Sequence, residues 1–239
     1  MYTVIYGGTG GIGAALARRV AAKGGHVHLV ARNENKLLAL ATEIGATFTV
    51  GDVLDPSLYQ RVTADVARPV SGLAYCVGSI NLKPVGRLSE ADFLTDFRLN
   101  ALGAVEAVKA ALPAMKQAER GSILLFSTVA VATGFTGHAS VAMAKGAVEG
   151  LTRALAAELA PHIRVNCLAP SLVRTDLAAS ITASEQMAAA IAKMHPLQRL
   201  GEAEDVAALA AFLLSSDADW ITGQIIGVDG GRSTLSARG

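Results

Sequence analysis

The chain has 239 residues, 51% of them hydrophobic and 17% charged, with a formal net charge of +1. This is the composition of a globular protein, and its scattered basic residues give no electrostatic reason to expect nucleic acid or an anionic membrane as partner. No apolar stretch reaches about 18 residues free of charges and turn signals, so a membrane span is not expected.

Residues 1–6 form an apolar run without the charged front or small-residue cleavage site of a signal peptide. Cys76 and Cys167 lie in apolar runs and read as buried thiols of a reducing compartment. A cytoplasmic location is expected.

In chain order, β-branched runs at 3–6, 27–31, 47–50, 72–77, 122–127, 164–168 and 224–228 alternate with helical patterns. The helices fall at 12–23, 35–44, 56–66, 90–115, 142–159 and 203–214. Nearly continuous apolar strands suit a parallel sheet covered on both faces. Strict β-α alternation predicts one α/β domain of the Rossmann type, a doubly wound sheet of about seven strands. One helical insertion at about 174–196 departs from the alternation, where a lid over a sheet-edge crevice would sit.

The first strand runs into Gly7-Gly8-Thr9-Gly10-Gly11-Ile12-Gly13, and a helix follows. Glycines permit unusual backbone angles, close approach of N–H groups to a pyrophosphate, and tight helix–strand packing. The helix N-terminus then attracts the phosphates. After the second strand, Ala31 stands where an NAD-type carboxylate would, and Arg32 follows. A guanidinium suits a 2′-phosphate, so NADP(H) is expected in preference to NAD(H).

These features resemble the short-chain dehydrogenase/reductase family over nearly the whole chain. Gly7, Gly11 and Gly13 fit the family's spacing, while Gly8, Gly10 and Gly13 fit the general dinucleotide fingerprint. The resemblance makes Asp52 and Val53 adenine contacts, Gly78 the survivor of the fourth-strand motif, and Val173 and Thr175 nicotinamide-amide contacts. It assigns Asn100 to a water relay bracing Lys145, the lysine that binds the nicotinamide ribose. It also implies a homo-oligomer, commonly a tetramer built on the helices at 90–115 and 142–159.

The family's proton donor is a tyrosine four residues before the lysine, where this chain has Val141; its substrate-orienting serine is replaced by Thr128, with Ser127 as the neighbouring alternative. Valine cannot donate a proton. His138, in the loop before Lys145, is the candidate substitute, because histidine titrates near neutral pH; water is the other, and Ser140 is a weaker one. Tyr75 ends the fourth strand and is open to either face. His26 and His28 share a strand face and are read as surface or edge residues; His162 and His195 are read as structural.

No set of residues has metal-ligand spacing. The preferred reading is an NADP(H)-dependent oxidoreductase on a carbonyl or alcohol, the apolar 174–196 segment suggesting an apolar substrate. A catalytically inactive NADP(H)-binding protein and a non-redox elimination or isomerisation are the alternatives.

Overall fold

The computed structural model describes residues 1–236. Strands β1 (Tyr2–Tyr6), β2 (His26–Ala31), β3 (Thr47–Val50), β4 (Gly72–Tyr75), β5 (Gly121–Phe126) and β6 (Ile163–Pro170) precede the two-residue strands β7 (Val173–Arg174) and β8 (Gly201–Glu202) and then β9 (Ile225–Val228). Helices α1 (Gly11–Ala22), α2 (Glu34–Ile44), α3 (Ser57–Val66), α4 (Glu90–Phe97), α5 (Gly103–Met115), α6 (Ala130–Thr133) and α7 (Ala139–Leu159) lie between them. Helices α8 (Ala179–Thr182), α9 (Glu185–Ala192) and α10 (Ala203–Leu214) complete the fold.

Seven strands form one parallel sheet in the order β3-β2-β1-β4-β5-β6-β9, and β7 pairs with β8 apart from it. Alternation along each strand divides the core. Ile5, Leu29, Leu124 and Leu168 pack with α1, α2 and α10. Val4, Tyr6, Leu73, Ile123 and Val165 pack with α3, α5 and α7 on the other face. This is the single-domain, doubly wound architecture expected from β-α alternation. The order reverses between β1 and β4, and that switch point opens a crevice at the carboxyl ends of the strands.

Helix ends follow local chemistry. The Asn33 side chain caps α2 by accepting from Lys36 N–H at 2.9 Å, and Gly45 closes it at φ +67°. A reciprocal Ser89–Asp92 capping box starts α4.

The helix expected at 90–115 is interrupted: α4 and α5 are joined by a π-helical turn, Arg98–Leu102. The helix expected at 142–159 begins three residues earlier, at Ala139, with His138 at its N-cap. Residues 174–196 carry two short helices, α8 and α9. No helix among the described residues is long and apolar enough to cross a membrane.

His28 is not at the surface. It is fully buried, with Nδ1 2.8 Å from Thr47 Oγ1 and Nε2 2.9 Å from Thr49 Oγ1, and Thr49 in turn donates to Asp65 at 2.5 Å. Pairing with β3 draws the strand's middle residue under cover, while His26 stays exposed at its end. Burial lowers the His28 pKa to about 4, against a smaller upward pull from Asp65.

A folded pKa below the unfolded value of about 6.5 means that the unfolded chain binds the proton first as pH falls. Stability is therefore lost from about pH 6.5 down to about pH 4. His28 alone should account for about 2 kcal/mol of loss between pH 7 and pH 5, read as a smaller pH dependence of urea unfolding in His28→Gln.

Candidate active site

The turn after β1 is built for close approach. Gly7 has φ +73°, and a Cβ there would lie 3.0 Å from the Cys76 carbonyl carbon. A Cβ on Gly11 would meet Thr175 Cγ2 at 2.5 Å, and one on Gly13 would collide with the Gly7 carbonyl oxygen. Gly10 is the N-cap of α1, with Thr9 just before it and Ile12 lining the adjacent cavity. The Gly7 N–H is held by Val30 O at 2.8 Å, which ties the turn to β2.

Past β2, the Arg32 side chain is 80% exposed and lies 3.7 Å from Asp52. Asp52 accepts from the Leu54 N–H, and the Val53 carbonyl accepts from the Tyr59 hydroxyl at 2.8 Å. Val173 and Thr175 lie across the crevice on the cavity wall.

Beneath the crevice, Lys145 is buried, and its Nζ donates to Phe126 O at 2.8 Å. Burial lowers its pKa to about 8, countered by the nearby thiols and Asp96. Asn100 sits in the π turn, where its side-chain amide donates to Asp96 O at 2.8 Å, the i−4 carbonyl that an α-helix would give to the backbone N–H. Asn100 Oδ1 is buried without a partner. A Cβ on Gly78 would lie 3.3 Å from that oxygen and 3.4 Å from Lys145 Nζ, so both atoms flank this glycine.

The spacing of motifs gave no hint of Asp96. Its carboxylate is buried and accepts from Ser140 at 2.5 Å, Ser79 at 2.6 Å and Asn81 at 3.4 Å, while Ser79 accepts from Asn100 Nδ2 at 2.9 Å. The network joins α4, the loop after β4 and the first turn of α7. Ser140, the weaker donor candidate, is fully buried in it.

A cavity of about 600 Å³ opens above these groups. Thr128, Val141, His138 and Lys145 all line it. Val141, at the expected tyrosine position, is buried in the wall. His138 Nδ1 donates to Thr136 O at 2.9 Å, and its ring meets Phe135 edge-on at 5.4 Å between centroids.

Ser127 is engaged elsewhere, donating to Glu149 at 2.7 Å. Tyr75 is settled against a catalytic place: it is buried beside Tyr6 and Tyr59, donating to Leu99 O at 2.7 Å. Cys167 is buried as expected, but Cys76 is only partly so, because β4 ends at Tyr75 and leaves it on the cavity wall. His195 is buried between Ile191 O and Ser171 Oγ, a structural post.

A nucleotide-type crevice with a buried lysine beside it marks the class to which the known relatives also belong. Residues 7–233 match the family described as enoyl-(acyl carrier protein) reductase. A tropinone reductase homolog of Arabidopsis thaliana is 33% identical over 95% of this chain and 90% of its own. A 3-oxoacyl-(acyl-carrier-protein) reductase of Bos taurus is 33% identical over 95% of both chains.

Among solved structures, a short-chain type dehydrogenase/reductase from Mycobacterium ulcerans superposes with a TM-score of 0.91 at 32% identity, covering 97% of this chain and 89% of that one. An actinorhodin polyketide ketoreductase variant with NADPH reaches 0.93 at 27% identity, over 98% and 97% of the two chains. The chain belongs to the short-chain dehydrogenase/reductase family, an oxidoreductase family that acts on small molecules with nicotinamide cofactors.

Removing the buried carboxylate leaves the Ser140 hydroxyl only a long contact to Asp92 O at 3.4 Å and takes an acceptor from Ser79 and Asn81. Asp96→Ala should therefore lower unfolding free energy by about 2–4 kcal/mol. Ser140→Ala, which leaves Asp96 its other donors, should cost about 1 kcal/mol. Urea denaturation of the two variants beside the natural protein measures both.

Proposed function

We propose that this protein is an NADP(H)-dependent oxidoreductase interconverting a carbonyl and an alcohol, with NAD(H) the poorer cofactor and with His138 or water supplying the proton that tyrosine supplies in relatives. The observation that carries the reading is the convergence of Lys145 Nζ and the unpartnered Asn100 Oδ1 on Gly78, below a cavity walled by Thr128 and Val141.

The residues fit the cofactor. A turn in which side chains at Gly7, Gly11 and Gly13 would collide with neighbours keeps its backbone bare, and the first-turn N–H groups of α1 suit a pyrophosphate. Exposed Arg32 suits a 2′-phosphate, and Asp52 and Val53 flank the adenine side. Gly78, Val173 and Thr175 border the nicotinamide end, where Lys145 takes the ribose hydroxyls. When bound, NADPH supplies the hydride.

The chain's own groups do the rest. Lys145 stays mostly cationic at neutral pH even with its pKa lowered to about 8. The Thr128 hydroxyl donates to the substrate oxygen and orients it. His138 uses Nδ1–H to bond Thr136 O, so Nε2 is the atom at which it accepts or delivers a proton. Residues 174–196, whose Leu177, Ile181, Ile191 and Met194 face the cavity, act as the lid over an apolar substrate. Exposed Leu94, Leu102 and Met143 on α4, the π turn and α7 support a homo-oligomer built on these helices, in the cytoplasm.

NADPH absorbance against a panel of carbonyl compounds tests the reading. The natural protein should turn over slowly, and Val141→Tyr should raise kcat by about 10²–10⁴-fold, the usual contribution of a placed general acid. His138→Gln should lower the natural protein's kcat about tenfold or more and leave the Val141→Tyr rate nearly intact. No turnover by either the natural protein or Val141→Tyr would defeat the proposal.

A further inference from the structure

We propose that Arg232 is the anchor for a carboxylate on the substrate, so that the cavity takes an acidic carbonyl or hydroxy compound with an apolar body. This rests on the functional reading above and narrows its substrate class.

Arg232 follows the glycine pair after β9 and reaches the cavity wall from the C-terminal side. Its guanidinium lies 4.4 Å above the Phe135 ring, NH1 is 3.3 Å from Ser171 Oγ, and NH2 is 3.6 Å from Met194 Sδ. These contacts pin the group between the loop before α7, the end of β6 and the segment after α9. They occupy one face and two edges of a fork that carries five N–H donors.

Among the described residues, no carboxylate lies within ion-pair distance of it. Asp229, whose charge acts on Arg232 from beyond ion-pair distance, is itself bonded to Ser233 and the Gly231 N–H.

The rest of the cavity sharpens the point. Among the described residues, no aspartate or glutamate lines it, and its cations are Lys145, already bonded to Phe126 O, and Arg232. The remaining wall is largely aliphatic, with Leu82, Leu172, Leu177 and Ile181 among it. A half-buried guanidinium held rigidly over an aromatic face in an acid-free apolar cavity is arranged for bidentate recognition of an anion. A neutral substrate would offer that half-buried cation no charged acceptor. Arg32, the cation suited to a nucleotide phosphate, is not among the residues that line this cavity, whereas Arg232 lines it together with its neighbours Phe135 and Met194.

The test compares 7-oxooctanoate with its methyl ester, by titration calorimetry on protein saturated with NADP⁺ and by NADPH oxidation. The acid should bind about 10- to 100-fold more tightly than the ester, as a charge-assisted pair predicts. Arg232→Met, which keeps an apolar stem against Phe135, should bring that ratio close to one, and Arg232→Lys should retain part of it. NADPH affinity and the melting temperature of each variant report on the fold.

An acid-to-ester ratio near one in the natural protein, or a ratio that Arg232→Met leaves unchanged, overturns the inference. Because calorimetry reads binding without turnover, a protein that discriminates acid from ester but oxidises no NADPH defeats the catalytic reading and leaves the Arg232 site standing.

Discussion

Everything at this site depends on how closely the chain can approach itself where β1 ends. Gly7 turns at φ +73° with its Cα hydrogen against the Cys76 backbone, and Gly13 packs on the Gly7 carbonyl. A side chain at any of these points would force β1 from β4 or lift α1 off the sheet. The same contact sets the crevice width at the switch point, the depth at which Lys145 and Asn100 flank Gly78, and the reach of Thr175 across to Gly11. Backbone packing positions the chemistry before any catalytic side chain is counted.

Around that turn, the polar groups are fixed from outside the sheet. The Asp96 carboxylate gathers two serines and an asparagine amide, while Asn100 binds both Ser79 and the Asp96 carbonyl. One Asn100 oxygen is left without a partner inside this otherwise satisfied cluster. Buried polar atoms are rarely left so, and this one shares the flank of Gly78 with Lys145 Nζ. Val141 adds an apolar side chain to the cavity wall, and His138 lines the same cavity from the loop before α7.

The fold was largely legible because its signals are local. Short β-branched or apolar runs such as 47–50 and 122–127, alternating with longer helical patterns, suit buried parallel strands, and the glycine turn names its own geometry. What was not legible depends on partners far apart in the chain. Asp96 meets Ser140 across 44 positions, and Arg232 meets Phe135 across almost a hundred, so neither shows as a motif. Tyr75 could face either side of the sheet until its packing with Tyr6 and Tyr59 decided it. His28 has the spacing of a surface residue, and only the arrival of Thr47 and Thr49 on β3 buries it. The π turn has no composition of its own; it arises because the Asn100 amide takes the carbonyl that the helix would use.

That turn has a consequence for how this segment of chain can change length. A π turn holds one residue more than an α turn, and Gly103 N–H bonds back to Arg98 O across five positions. Losing a single residue from 98–102 would let the ladder close as a regular helix, and α5 would keep its length and its hydrogen bonds. Because the wide turn absorbs its extra residue, everything downstream would keep nearly the same rotation about the axis. Ala104, Ala107 and Val108 would keep the sheet face they now cover, but the Asp96 carbonyl would go to a backbone N–H and the Asn100 amide would lose its acceptor. The extra residue in this segment thus serves the placing of one side chain, and the helix could do without it.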